Sequence, residues 1–209
     1  DGIRDDLVTG VQTCALPISM THVVVDVSGH GFGHLAQIAP VIRALKAHRQ
    51  VRLTVRTGVP ADVCREALGG DCEMAAPIAE PILAMSSAID VEVDATIEAF
   101  TAHWQQYEAT LEREVSALIE ADADLVLADV PALSLDAAHH ARVPAIALSS
   151  LNWAEILEHY TGDACKDLVD RMRDGYRSAH RFIRLTPAMP MTWLTNHQVV
   201  DRKSTRLNS

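Results

Sequence analysis

The chain has 209 residues, of which 48% are hydrophobic and 4% aromatic, and carries a formal net charge of −10 at pH 7. An acidic surface repels phosphate backbones and scarce aromatic rings offer few platforms for bases, so nucleic acid is excluded as the expected partner. No apolar run approaches the length of a membrane span.

In chain order, the first stretch is foreign to the rest. Val8–Ile18 back-translates to one strand of a common short-read sequencing adapter, and Asp1–Asp5 fits its primer tail. At the other end, Asp201–Ser209 (Asp-Arg-Lys-Ser-Thr-Arg-Leu-Asn-Ser) matches the complementary adapter strand. Residues 1–19 and 201–209 are therefore expected to be adapter-derived and not native, leaving 20–200 as one domain cut at its C-terminal end. Setting both stretches aside leaves the net charge unchanged.

Between them, strand and helix patterns alternate. His22–Val27 is a short buried strand, and Leu35–Ala47 has apolar residues at helical spacing. Val51–Arg56 alternates as a second strand, and Pro60 opens a helix that Gly69-Gly70 ends near Leu68. Cys72–Ala76 is a third strand and Pro77–Asp90 a loop, before a long helix from about Val93 to Ala121. Leu125–Ala128, Ala145–Leu148 and Phe182–Leu185 complete the strands, with helices over Leu133–Ala141, Trp153–Tyr160 and Cys165–Ala179. Buried strand runs this short, each followed by a helix, predict an open parallel α/β sheet with helices on both faces.

In such sheets ligands bind beyond the carboxyl ends of the strands, so the residues just after each strand are the candidates. Foremost is the turn Ser28–His34, with Gly29, Gly31 and Gly33 interleaved by His30, Phe32 and His34. Its Gly-x-Gly-x-Gly-His spacing differs from the dinucleotide fingerprint, and strand 2 ends in Arg56-Thr57-Gly58 without an acidic ribose ligand, which counts against NAD. Nor is there a phosphate-loop lysine. His30 sits in a turn and no carboxylate completes a set with His34, so no metal site is expected; His139 and His140 read as surface residues of an amphipathic helix.

His34 falls at the N-terminus of the first helix, where the helix charge favours a neutral imidazole able to accept a proton. Asp129, after the fourth strand, is the natural partner for a His–Asp dyad that deprotonates a hydroxyl. The alternative is structural: His34 caps its turn and Asp129 caps the helix after Pro131. Ser149, Ser150, Asn152 and Trp153 offer polar groups beside an aromatic face suited to a sugar ring, or else an N-cap and a core tryptophan. Cys64, Cys72 and Cys165 lack ligand spacing and read as reduced thiols serving as small hydrophobes, which places the chain in the cytoplasm.

Ser28-Gly-His-Gly-Phe-Gly-His34, with the following Leu-Ala-Gln-Ile-Ala-Pro-Val-Ile, resembles the opening of GT-B glycosyltransferases. It is most similar to the glycosyltransferase-like domain preceding the kinase in plant L-arabinokinase and to its bacterial relatives. The resemblance continues through Ala123–Pro131, Arg142–Trp153 and Phe182–Leu185, so it covers nearly all of 20–200. It implies the N-terminal, acceptor-side Rossmann-like half of a two-domain enzyme. That enzyme would move a sugar from a nucleotide-sugar donor to a small-molecule hydroxyl acceptor, without a further cofactor. It also implies that His34 is the base, that Asp129 orients it, and that the missing C-terminal domain holds the donor, leaving this chain inactive alone. The other reading from the same resemblance is a non-catalytic sugar-sensing domain that regulates a sugar kinase.

Overall fold

The computed structural model describes residues 20–29, 32–87 and 90–201. His30 and Gly31 therefore lie outside the described residues, as do the terminal stretches 1–19 and 202–209. The strands are β1 Thr21–Val27, β2 Val51–Arg56, β3 Glu73–Ala75, β4 Leu125–Asp129, β5 Ala145–Ser149, β6 Arg181–Thr186 and β7 His197–Asp201. All pair in parallel, in the order β3-β2-β1-β4-β5-β6-β7. The helices are α1 Phe32–His48, α2 Ala61–Leu68, α3 Val93–Gln105, α4 Tyr107–Glu120, α5 Ala132–Ala141, α6 Trp153–Thr161 and α7 Lys166–Ser178. This is the expected Rossmann-like α/β class.

Alternation along each strand builds two cores. Val23, Val25, Val27, Leu53, Val55, Leu127 and Leu148 face α1 and α2. Val24, Val126, Ala128, Ala145, Ala147 and Phe182 face the opposite layer, where α4, α5, α6 and α7 pack. Because β1 lies between β2 and β4, the strand order reverses there, and the carboxyl ends of β1 and β4 flank the crevice where such sheets bind ligands.

Three local expectations need correction. The long helix over Val93–Ala121 is two helices, broken at Gln106 (φ −110°, ψ 6°). No proline or glycine marks the break: α4 lies against α5, while α3 turns away to pack on α6 and the 3-10 turn Gly162–Cys165. The helix bearing His139 and His140 is not amphipathic, since every residue from Ala132 to Ala138 is buried between α4 and α7 and only the two histidines emerge. A seventh strand, His197–Asp201, adds to the sheet beyond β6; as an edge strand of mixed polarity it carries no strong apolar pattern.

Candidate functional site

The register of β1 against β4 pairs Val27 with Asp129. Counting back by two, Asp129 shares a face with Leu127 and Leu125, the face covered by α1. Helix α1 starts at Phe32, earlier than the periodicity predicts, so the glycine turn is shorter and His34 falls within the helix's first turn. The two side chains meet: His34 Nδ1 lies 3.1 Å from Asp129 Oδ1. His34 is 6% exposed and Asp129 is fully buried.

A carboxylate accepting from Nδ1–H fixes the tautomer that leaves a lone pair on Nε2. Burial pushes the Asp129 carboxyl above its usual range, opposed by the hydrogen bond and charge of His34 and by the Ser149 hydroxyl. Its second oxygen, Oδ2, is buried without a hydrogen-bond partner among the described residues. The pair can therefore accept a proton at Nε2 and balance the resulting imidazolium with a desolvated carboxylate.

A Cβ on Gly29 would stand 3.5 Å from the Gly58 backbone nitrogen, ordinary van der Waals contact, so the approach of the β1 and β2 turns does not by itself require a glycine there. Among the described residues a Cβ on Gly33 would meet nothing within 4 Å, and Phe32 is 63% exposed. Thr57 holds its own turn, its Oγ1 accepting from the Val59 N–H at 3.3 Å.

After β5 the structural alternative holds. Asn152 Oδ1 accepts from the Glu155 N–H at 2.8 Å, an N-cap for α6, and Trp153 is 3% exposed. Ser149 is buried, with Oγ accepting from Leu151 N–H, and the Ser150 carbonyl accepts from Met189 N–H. In this arrangement Asn152 is the N-cap of α6 and Trp153 packs into the core. Trp153 nevertheless walls a small cleft with Gly29, Glu80 and Pro131. A larger groove between α3 and the start of α7, lined by Phe100, Trp104, Cys165 and Lys166, shares no residue with the His34–Asp129 edge.

Sequence reasoning missed three polar groups beside this edge. Asp26, the one charge inside the apolar β1 run, pairs with Arg56, which also reaches Glu114. A carboxylate in a valine strand is itself a signal, because a buried charge requires a partner. Glu80, from the loop after β3, caps α5 at long range: its oxygens accept from Ala132 N–H at 3.1 Å and Leu133 N–H at 3.0 Å. Tyr176, in a helix remote in sequence, donates from its hydroxyl to the Val130 carbonyl at 2.7 Å. Neither of the last two has a sequence signal. Among the described residues no three His, Cys, Asp or Glu side chains gather as metal ligands, and no helix is long and apolar enough to cross a membrane.

No protein-family model matches the chain, and no curated protein does. Among solved structures, the calicheamicin glycosyltransferase CalG4 aligns at 18% identity with a TM-score of 0.52, over 88% of this chain and 53% of its own. The glycosyltransferase of kitacinnamycin aligns at 16% identity and a TM-score of 0.49, over 85% and 49%. UGT2 of Phytolacca americana, complexed with UDP-2-fluoro-glucose and pterostilbene, aligns at 11% and 0.46, over 80% and 48%. The chain thus spans about half the length of the solved proteins it resembles. What it shares with CalG4 is the fold, a parallel Rossmann-like α/β sheet.

Proposed function

We propose that this chain is the acceptor-side half of a glycosyltransferase that moves a sugar from a nucleotide-sugar donor to an acceptor hydroxyl. His34 is its general base and Asp129 orients that base. The observation that carries this reading is the 3.1 Å contact between His34 Nδ1 and a fully buried Asp129 at the switch point of the sheet. Likeness in fold to CalG4 supports it.

In this mechanism Asp129 holds the Nδ1–H, so Nε2 takes the acceptor's hydroxyl proton as that oxygen attacks the anomeric carbon. The bond to the nucleoside diphosphate breaks, and the leaving group departs with the electron pair. Attack from the face opposite the leaving group inverts the anomeric centre. The proton then leaves the imidazolium for water, restoring the base. The acceptor would lie at the first turn of α1, where among the described residues a Cβ on Gly33 meets nothing within 4 Å.

The donor belongs to a second α/β domain that would follow residue 200, with 20–200 as the native segment and 1–19 and 201–209 as adapter-derived additions. The chain as given is then expected to turn nothing over. The test is the natural reading frame that continues this segment. There His34→Ala should slow release of nucleoside diphosphate roughly 10²–10⁴-fold, the usual share of a general base. Transfer at the unsubstituted rate would remove His34 from the chemistry.

A further inference from the structure

We propose that the Tyr176 hydroxyl is a positioning residue for the His34–Asp129 pair, because one oxygen ties together the turns that follow β4 and β5. The inference rests on the reading of that pair as base and partner.

The turn after β4 is strained. Val130, a β-branched residue between Asp129 and Pro131, has φ +86°, a region such side chains rarely adopt. A conformation of this kind persists only where its surroundings over-determine it. Here the Ser28 N–H donates to the Asp129 carbonyl at 3.2 Å, and Glu80 holds the amides of Ala132 and Leu133. Helix α7 comes close enough to Ala132 that a Cβ on Gly175 would lie 2.9 Å from its carbonyl oxygen. That approach brings the next residue, Tyr176, onto the strained carbonyl.

Tyr176 also reaches the second turn. Its hydroxyl donates to the Val130 carbonyl at 2.7 Å and accepts from the Trp153 N–H at 3.1 Å. The ring is buried, edge-on to Phe182 and tilted against Trp193, so it cannot follow either turn if that turn moves. Removing the oxygen takes from the Val130 carbonyl and the Trp153 N–H the partner they share. Val130 can then relax toward negative φ, rotating the peptide attached to Asp129 and shifting the carboxylate against His34.

The test is nitrogen-15 NMR of the His34 ring in the full chain, comparing Tyr176→Phe, Tyr107→Phe and Asp129→Asn. Tyr107 is a buried tyrosine whose hydroxyl donates to Asp136 of α5 at 2.8 Å. Tyr176→Phe is expected to move the His34 ring shifts toward those of Asp129→Asn. Tyr107→Phe should lose stability and leave the ring unmoved. A silent Tyr176→Phe beside a responsive Asp129→Asn overturns the inference alone, as does an equal response to Tyr107→Phe. A silent Asp129→Asn overturns the base assignment and this inference together. Should Tyr176→Phe not fold, 3-fluorotyrosine incorporated in the Tyr107→Phe background must shift the His34 signals, and unmoved signals overturn the inference.

Discussion

Arg56 on β2 clasps Asp26 on β1 through two hydrogen bonds, Nε to Oδ1 at 2.5 Å and Nη2 to Oδ2 at 2.6 Å. Its remaining arm reaches Glu114 on α4 at 2.5 Å, so one cation serves two carboxylates. Asp26, one residue before β1 ends, and Arg56, the last residue of β2, are register partners on the face away from α1. The clasp therefore fastens the sheet edge to α4 from below while the His34–Asp129 pair occupies the other face.

Removing the cation should be costly. Arg56→Met leaves Asp26 and Glu114 without their counter-charge, and breaking a buried pair in this way typically costs about 3–5 kcal/mol. Urea denaturation followed by circular dichroism checks it. Replacing all three with apolar residues of similar volume should recover most of the loss, as the penalty lies in the stranded charges.

Glu80 sets a pH dependence of stability. Burial pushes its carboxyl from 4.5 up to about 8, against the pull of the Leu133 and Ala132 amides and with help from the nearby Asp26 charge. Although the residue retains some exposed surface, its oxygens are committed to those amides. With the folded value above the unfolded one, the native state binds the proton more tightly. Stability is then fully present below about pH 4.5 and falls as pH climbs toward about 8. Glu80→Gln should flatten this slope when urea midpoints are compared across that window.

Gly175 should tolerate no side chain. A methyl there would press on the Ala132 carbonyl at 2.9 Å, and backbone does not yield as a flexible side chain does. Gly175→Ala is expected to destabilise the fold by about 1–3 kcal/mol, the usual range for overpacking, despite the better helix propensity of alanine. Thermal unfolding by calorimetry provides the measurement.

How much of this was legible in the sequence differs by level. The alternation of periods 2 and 3.6 located β1 to β6 within a residue or two, because buried parallel strands leave short, nearly unbroken apolar runs. The neighbourhood of β1 and β4 brought His34 and Asp129 into one prediction. The break at Gln106 was invisible, since Phe100, Tyr107, Leu111 and Leu118 keep a helical spacing across it and only tertiary packing bends the chain there. Asn152 and Trp153 illustrate the limit from the other side: the same two residues suit a sugar platform or a helix start, and only burial and the Glu155 N–H contact separate the readings. Glu80 and Tyr176 act on the Asp129 turn from far along the chain, so no local pattern could have found them.

The enclosure of α5 between its neighbours bears on the solutions this domain tolerates. Dissolved ions thin the field of a helix end that faces water, and do so less at one whose first two turns are buried. The bonds from the first amides of α5 to Glu80 are therefore less sensitive to salt than exposed ion pairs. Exposed pairs such as Arg177–Asp174 fade with added salt, while the contact between ring and carboxylate at the sheet edge keeps its strength.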